Sequence, residues 1–383
     1  MSEHNPKIFS VIIVSLVAAV FFAGCAGAQK TSPPPVKSEL SAGQLYAKGV
    51  SLVNSDPAAA LECFTQILSQ DPDRVDALIN KGFILGSSFN RFDEATAVFA
   101  RVDTLLENDR AAGSTVYCNL LVARGWVYRI KGDFPGALNQ FAAAKSFYER
   151  EGMQGTASYV RVLIGIALIE FRKGEYDSAL QLFLEARSVM EKLEAQNGYT
   201  YIANLSNIGL SYRKIGEIDI AYQYHEQALD LLSSQDQKGT LGYGRIASNF
   251  GIILLDMEKT EDALALFNEH KLVLEKLNLK TGDEYANLIG NIGIVYTRQK
   301  KYNDALTLFN ESRIIREKLS LKDTDGYGDL MSSIALMYET KGDAKKAVEY
   351  FKRALDAYNH AGIADVRIEQ IQKKIGLLTD QKK

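Results

Sequence analysis

Histidine and cysteine are the residues best suited to chemistry here, and their spacing argues against it. His4, His225, His270 and His360 are scattered, with no HExxH pair and no cysteine close by, so the ligand spacing of a zinc site is missing. Cys25, Cys63 and Cys118 form no CxxC. No GxSxG, Walker-type or GxGxxG stretch occurs, and the glycines recur with a fixed period instead of forming a phosphate loop. An enzyme therefore has no feature in its favour, and neither a cofactor nor a metal is expected. A net charge of −3 over 383 residues gives no basic surplus for nucleic acid.

A different chemistry recurs. Asn207, Asn249 and Asn291 stand 42 residues apart, and Ser333 follows in the same register. Asparagine is a mediocre helix former, so propensity does not favour it there. Its amide both donates and accepts, and a row of such groups could clamp an extended peptide backbone without reading its sequence. The residues before them, Ser206, Ser248, Gly290 and Ser332, are small enough to let a ligand approach. Arg129, Arg161, Arg172, Arg213, Lys214, Arg245 and Arg298 fall on the same helix faces, against Asp256, Asp329 and Glu339. Guanidinium forks on that scale favour an acidic or carboxylate-bearing partner. Trp126, the sole tryptophan, is either an interface anchor or a cover over the join to the preceding repeats. The competing reading of the whole set is a solvated helix face with no ligand.

The elements that position these residues are copies of one unit. Tyr285–Ser312 reads as two amphipathic helices joined by a polar turn. Ile289, Ile292, Gly293 and Tyr296 share a face of the first helix, and Ala305, Leu308, Phe309 and Ser312 a face of the second. Steps of 42 residues carry Gly293 onto Gly251, Gly209, Ala167, Gly125 and Ala335. The same steps carry Phe309 onto Phe267, His225, Phe183, Phe141 and Phe351, and Tyr285 onto Tyr243, Tyr201, Tyr159, Tyr117 and Tyr327. The tyrosines share the phase of the apolar face and are expected to pack between repeats, with a ligand-stacking ladder as the alternative. His225 and His270 fall in core-facing positions, and Cys63 and Cys118 read as buried small hydrophobes.

Leu205, Ile208, Gly209, Tyr212 and Ala221, with His225 at the phenylalanine position, resemble the tetratricopeptide repeat signature. The 42-residue period exceeds the usual ~34 and is similar to that of kinesin light chain and related peptide-binding arrays. The resemblance implies an all-α, right-handed superhelical solenoid of about eight helix-turn-helix repeats, capped by a C-terminal helix. It also implies that the face of each first helix opposite the core lines a concave groove, and that asparagine serves there. The groove residues are then Asn207, Asn249, Asn291, Arg161, Arg213, Arg245, Arg298 and Trp126.

Residues 41–110 hold two irregular repeats, 111–360 six regular ones, and 361–383 a capping helix and tail. In that last helix Val366, Ile368, Ile371, Ile375 and Leu378 read as the docking face. Arg367, Glu369, Gln370, Gln372, Lys373 and Lys374 read as the outer one, and a free docking helix is the alternative.

The start of the chain differs. Ile8–Phe22 is an apolar run of 15 residues, short for a membrane span and suited to a secretory signal over 1–24. Phe22-Ala23-Gly24-Cys25-Ala26 resembles a bacterial lipoprotein box, with Phe22 in place of the usual leucine, which implies acylation of Cys25. Ordinary cleavage after Ala28 is the alternative. Residues 25–40, with three successive prolines, would then be an extended tether. The expected place is the cell envelope, lipid-anchored at the outer membrane facing the periplasm if the organism is Gram-negative. The expected function is a membrane-tethered, exported scaffold that binds a peptide or protein in envelope assembly, secretion or pilus-type machinery. A self-associating spacer and a peptide-responsive regulator are the alternatives.

Overall fold

The computed structural model describes residues 40–53, 56–107, 114–361 and 366–380. The signal segment, Cys25 and the proline-rich tether lie outside these residues. Among the described residues every regular element is an α-helix. Two irregular hairpins come first: α1 (Ala42–Leu52) with α2 (Pro57–Gln70), and α3 (Val75–Ser87) with α4 (Phe92–Leu105). Six regular hairpins follow: α5 (Thr115–Lys131) with α6 (Phe134–Arg150), α7 (Ala157–Lys173) with α8 (Tyr176–Lys192), and α9 (Tyr199–Ile215) with α10 (Ile218–Ser234). Then come α11 (Leu241–Asp256) with α12 (Thr260–Lys276), α13 (Asp283–Arg298) with α14 (Tyr302–Lys318), and α15 (Asp325–Lys341) with α16 (Ala344–His360). The last helix is α17 (Val366–Asp380). The fold is thus an all-α repeat solenoid. By compactness it forms two units, one ending at Asn204 and one beginning at Leu205, so the boundary falls inside α9. Among the described residues no helix is long and apolar enough to cross a membrane.

Each regular hairpin is set by the same local rules. The odd-numbered helix, here called A, is capped in four repeats by Ser114, Thr156, Thr240 or Thr324. Each cap hydroxyl accepts from the N–H of the periodic tyrosine three residues on. The turn to the even-numbered helix, B, needs a left-handed residue. Gly132, Gly174, Gly216 and Gly342 supply it at φ between 88° and 105°. Glu258 and Lys300 adopt the same conformation at φ 62° and 61°, against the preference of a side chain.

Two columns hold A against B. The phenylalanine ring of each B helix lies on the small residue of its A helix, so closely that a Cβ on Gly251 or Gly293 would come 2.7 Å from Phe267 or Phe309. The tyrosine column packs between repeats as expected: Tyr159, Tyr201, Tyr243 and Tyr285 are buried. Its hydroxyls donate to glutamates ten residues earlier, Tyr201 to Glu191 at 2.9 Å and Tyr327 to Glu317 at 2.9 Å.

The A helices depart from a two-faced pattern. In α13 every residue from Tyr285 to Val295 is buried, in α11 every residue from Ile246 to Leu255, and in α15 every residue from Gly328 to Tyr338. The B helices keep an exposed stripe: in α14 only Ala305, Phe309, Ser312 and Arg316 are buried. The solvated or ligand-facing surface expected on the A helices is therefore closed. Within the C-terminal unit the array brings the charge of Lys214, at the end of α9, to bear on Asp329 in α15, three repeats on. Inner faces that approach so closely exclude solvent.

The C-terminal helix docks on the face read from its apolar residues, and two cations expected on its outer face are drawn in beside them. Ile371 and Leu378 are buried, while Arg367 and Lys374 lie on the same stripe. Arg367 donates to Asp329 at 3.1 Å, and Lys374 to Glu339 at 2.8 Å. Two carboxylates on α15, Asp329 buried and Glu339 half-buried, turn the helix toward its cations.

Candidate functional site

The asparagine row lies in the C-terminal unit, on α9, α11 and α13, at one register. Asn207 is 1% exposed, and Asn249 and Asn291 are 0% exposed, so the row is brought together in sequence order but sealed. This corrects the expectation of an open groove wall. Its polar atoms are incompletely satisfied. Asn207 Oδ1, Asn249 Oδ1 and both amide atoms of Asn291 make no hydrogen bond within the chain. Asn249 Nδ2 donates to Ser206 Oγ of the preceding repeat at 3.2 Å. An unmet buried amide group costs about 1–3 kcal/mol, and here the cost recurs with the period of the repeat.

The small residues beside the row have a different task from the one read in the sequence. Ser206 Oγ sits 3.1 Å from His225 Nε2, and Ser248 Oγ 2.7 Å from His270 Nδ1. Ser206 and Ser248 therefore face helix B of their own repeats, not a ligand. His225 replaces the column's phenylalanine, and its Nδ1 lies 3.0 Å from the Ala221 carbonyl. Burial pushes its pKa down to about 4. His270 Nε2 lies 3.2 Å from Glu284 Oε1, off the line of a hydrogen bond. Glu284 also accepts both forks of Arg245 at 2.7 Å, and these donors hold its carboxyl down at about 2 against the opposing effect of burial. Ser248, His270 and Glu284 resemble a hydrolase arrangement in distances alone. With Ser248 and His270 both 0% exposed, no substrate reaches them. The signal in the sequence was a serine just before the periodic asparagine in the same repeat as a histidine on helix B, and only the packing reveals their contact.

The arginines do not form one positive wall. Arg213 is paired with Asp256, Arg245 with Glu284, and Arg298 Nη1 donates to the Leu255 carbonyl. In the C-terminal unit the arginines thus serve as staples between repeats. The N-terminal unit is different. Arg161 is 5% exposed, and burial lowers its pKa to about 10. The Arg129 guanidinium lies 4.8 Å over the Trp126 ring. Arg129 as a residue is half-buried, yet its Nε is sealed and makes no hydrogen bond within the chain, and the same is true of Trp126 Nε1. Burial first, and then the like charge of Arg172, lower the Arg129 pKa to about 10, and no carboxylate offsets them. Trp126 is 1% exposed and edge-on to Phe141, so it is part of its own repeat's core.

Among the described residues no group of three or more histidine, cysteine or acidic side chains could hold a metal. Cys63 and Cys118 are buried and unpaired with each other, and burial lifts the Cys118 thiol to about 11.

Two models described as tetratricopeptide repeat match the chain, one over residues 158–234, 199–271 and 284–360, the other over 122–191. Together they span more than half of it. No curated protein matches the sequence. Among solved structures, a chain of the APC/C hetero-tetramer Cut9–Hcn1 aligns with a TM-score of 0.60 at 17% identity, over 88% of this chain. This chain spans only 56% of that one's length. A Rap protein complexed with Competence and Sporulation Factor aligns with a TM-score of 0.59 at 12% identity, over 89% of this chain and 98% of that one. NprR in complex with its cognate peptide NprX gives 0.55 at 14%, over 80% and 82%. At these identities the likeness is one of fold. The repeated hairpins, their glycine and phenylalanine columns and the two matching models lead to one conclusion: this chain belongs to the tetratricopeptide repeat family.

Proposed function

We propose that the chain is a scaffold for a peptide or protein partner, and that the asparagine row of the C-terminal unit takes the partner's backbone. The observation that carries this reading is the set of unmet amide atoms on Asn207, Asn249 and Asn291, repeated at the period of the array. An extended peptide offers N–H and C=O groups at close intervals and satisfies such a row, provided neighbouring A helices part to admit it. The complexes of NprR with its cognate peptide and of a Rap protein with Competence and Sporulation Factor, both of similar fold, are in keeping with this. The enclosed Arg129 and Trp126 donors of the N-terminal unit would suit an acidic side chain or a terminal carboxylate.

The leader gives the finer part of the reading. Acylation at Cys25 after export would tether the array to a membrane of the cell envelope, and residues 25–40 would hold it off the surface. Assembly, secretion or pilus-type machinery would suit such a tethered scaffold. A photoreactive phenylalanine analogue at Tyr296, on the half-buried edge of α13, tests the binding role in cells. A discrete cross-linked protein or peptide is expected, and a chain that yields only intramolecular products contradicts the scaffold reading. Loss of the membrane fraction on Cys25→Ser tests the tether separately.

A further inference from the structure

The outer side of the array carries a feature that the inner face does not explain. Leu272, Leu277 and Leu279 at the end of α12 are 56%, 52% and 42% exposed, and Ile314 and Leu319 at the end of α14 are 45% and 42% exposed. Leu272 and Ile314 occupy one register of consecutive repeats, and so do Leu277 and Leu319. Two copies of the same motif make the patch: Lys276-Leu277-Asn278-Leu279-Lys280 and Lys318-Leu319-Ser320-Leu321-Lys322. In each the middle residue is left-handed, Asn278 at φ 57° and Ser320 at φ 59°. The next N–H closes on the helix, from Leu279 to the Leu274 carbonyl and from Leu321 to that of Arg316. A helix end of this kind ordinarily covers its following apolar residue. Leu279 remains largely uncovered.

Charge narrows the choice of what covers the patch. Lys276, Lys280, Lys318 and Lys322 are all exposed. The acids beside the two segments are fewer than the lysines: Glu275 accepts from the Tyr285 hydroxyl and lies 3.6 Å from Lys280, Glu317 accepts from Tyr327 and Arg313, and Asp323 follows Lys322. The flanking repeats end the patch abruptly, with Asp230 and Asp356 at the register of Leu272 and Ile314, and Gln235 and Ala361 at that of Leu277 and Leu319. Interfaces between proteins favour aromatic residues and arginine and are depleted of lysine. Leucine interleaved with lysine is the composition that lies in a membrane interface, where the aliphatic groups enter the acyl boundary and the ammonium groups meet anionic headgroups.

We propose that this two-repeat surface, Leu272, Leu277, Leu279, Ile314 and Leu319 with its four lysines, rests on an anionic lipid bilayer. The contact orients the array against the membrane whether or not Cys25 is acylated, and it does not depend on the peptide-binding reading.

The test uses the full chain with tryptophan introduced by L277W or L319W, and by Q235W as the control at the same register in a polar repeat. Trp126 is buried and common to all three, so it adds a constant background. Each variant is mixed with phosphatidylglycerol vesicles containing brominated acyl chains. The emission of L277W and L319W is expected to shift to the blue and be quenched at least twofold more than that of Q235W. K276E/K318E in the L277W background, or vesicles of phosphatidylcholine alone, should remove the difference. Equal quenching of L277W and Q235W overturns the proposal, even if the apolar leader holds all variants on the vesicle. A blue shift that grows with protein concentration in the absence of lipid also overturns it, by assigning the patch to a second copy of the chain.

Discussion

His225 shows how one atypical residue in a repeat becomes a liability at low pH. Its pKa is depressed from 6.5 to about 4, mainly by burial. Between those values the unfolded chain binds a proton that the folded chain refuses. Stability is thus complete above the unfolded value and is lost as pH falls toward the folded one, by on the order of 3 kcal/mol in full. Five sister repeats place phenylalanine at this point. His225→Phe should therefore melt higher than the parent at pH 5, with a smaller difference at pH 7.5. A difference independent of pH would remove protonation as the cause. Asn291 is the residue-scale case of the opposite kind. Both of its amide atoms are sealed without a partner. Asn291→Leu, similar in size, should raise the unfolding free energy by about 1–3 kcal/mol in urea titration, whereas a buried polar group that contributes to folding would give a loss.

At the scale of the element, turn chemistry sets stability in a way that was largely legible. The repeat period, the glycine and phenylalanine columns and the tyrosine column all follow from residue type and spacing, because each is a local rule repeated six times. The left-handed turns at Lys300 and Glu258 could be read in the same way, by comparison with Gly132 and Gly174. Lys300→Gly should stabilise the chain by up to about 1 kcal/mol, and an unchanged or lower melting temperature would show that the lysine is not strained. The function of the A helices was not legible. Helical phase separates two faces but does not say what lies against the second one. The Asn249 side chain was read as facing a ligand, and it reaches Ser206 of the preceding A helix instead. On α17 the apolar docking face was legible, but two of its cations were misplaced for a related reason. Arg367 and Lys374 look like solvent-facing residues until buried Asp329 and half-buried Glu339 are known to lie opposite them. Arg367→Ala leaves Asp329 enclosed with the Tyr358 hydroxyl at 2.5 Å and the more distant charge of Lys214. It should lower the melting temperature, and the loss should shrink in Arg367→Ala/Asp329→Asn.

At the largest scale, the C-terminal unit combines closed A helices with B helices that keep an exposed stripe. Its A helices hold unmet amides, and the ends of α12 and α14 carry an apolar, lysine-rich patch. A solenoid distributes stability over nearest-neighbour interfaces, so opening one A–A interface leaves the rest of the array folded. That property makes a sealed asparagine row compatible with capture of an extended ligand. The most direct test of this account is the yield of partner cross-linked from Tyr296 in cells, compared between the parent chain and Asn291→Leu expressed to the same level. The account expects the variant to be folded and at least as stable, yet to lose most of the captured partner. Capture at the parental yield by that variant would contradict it.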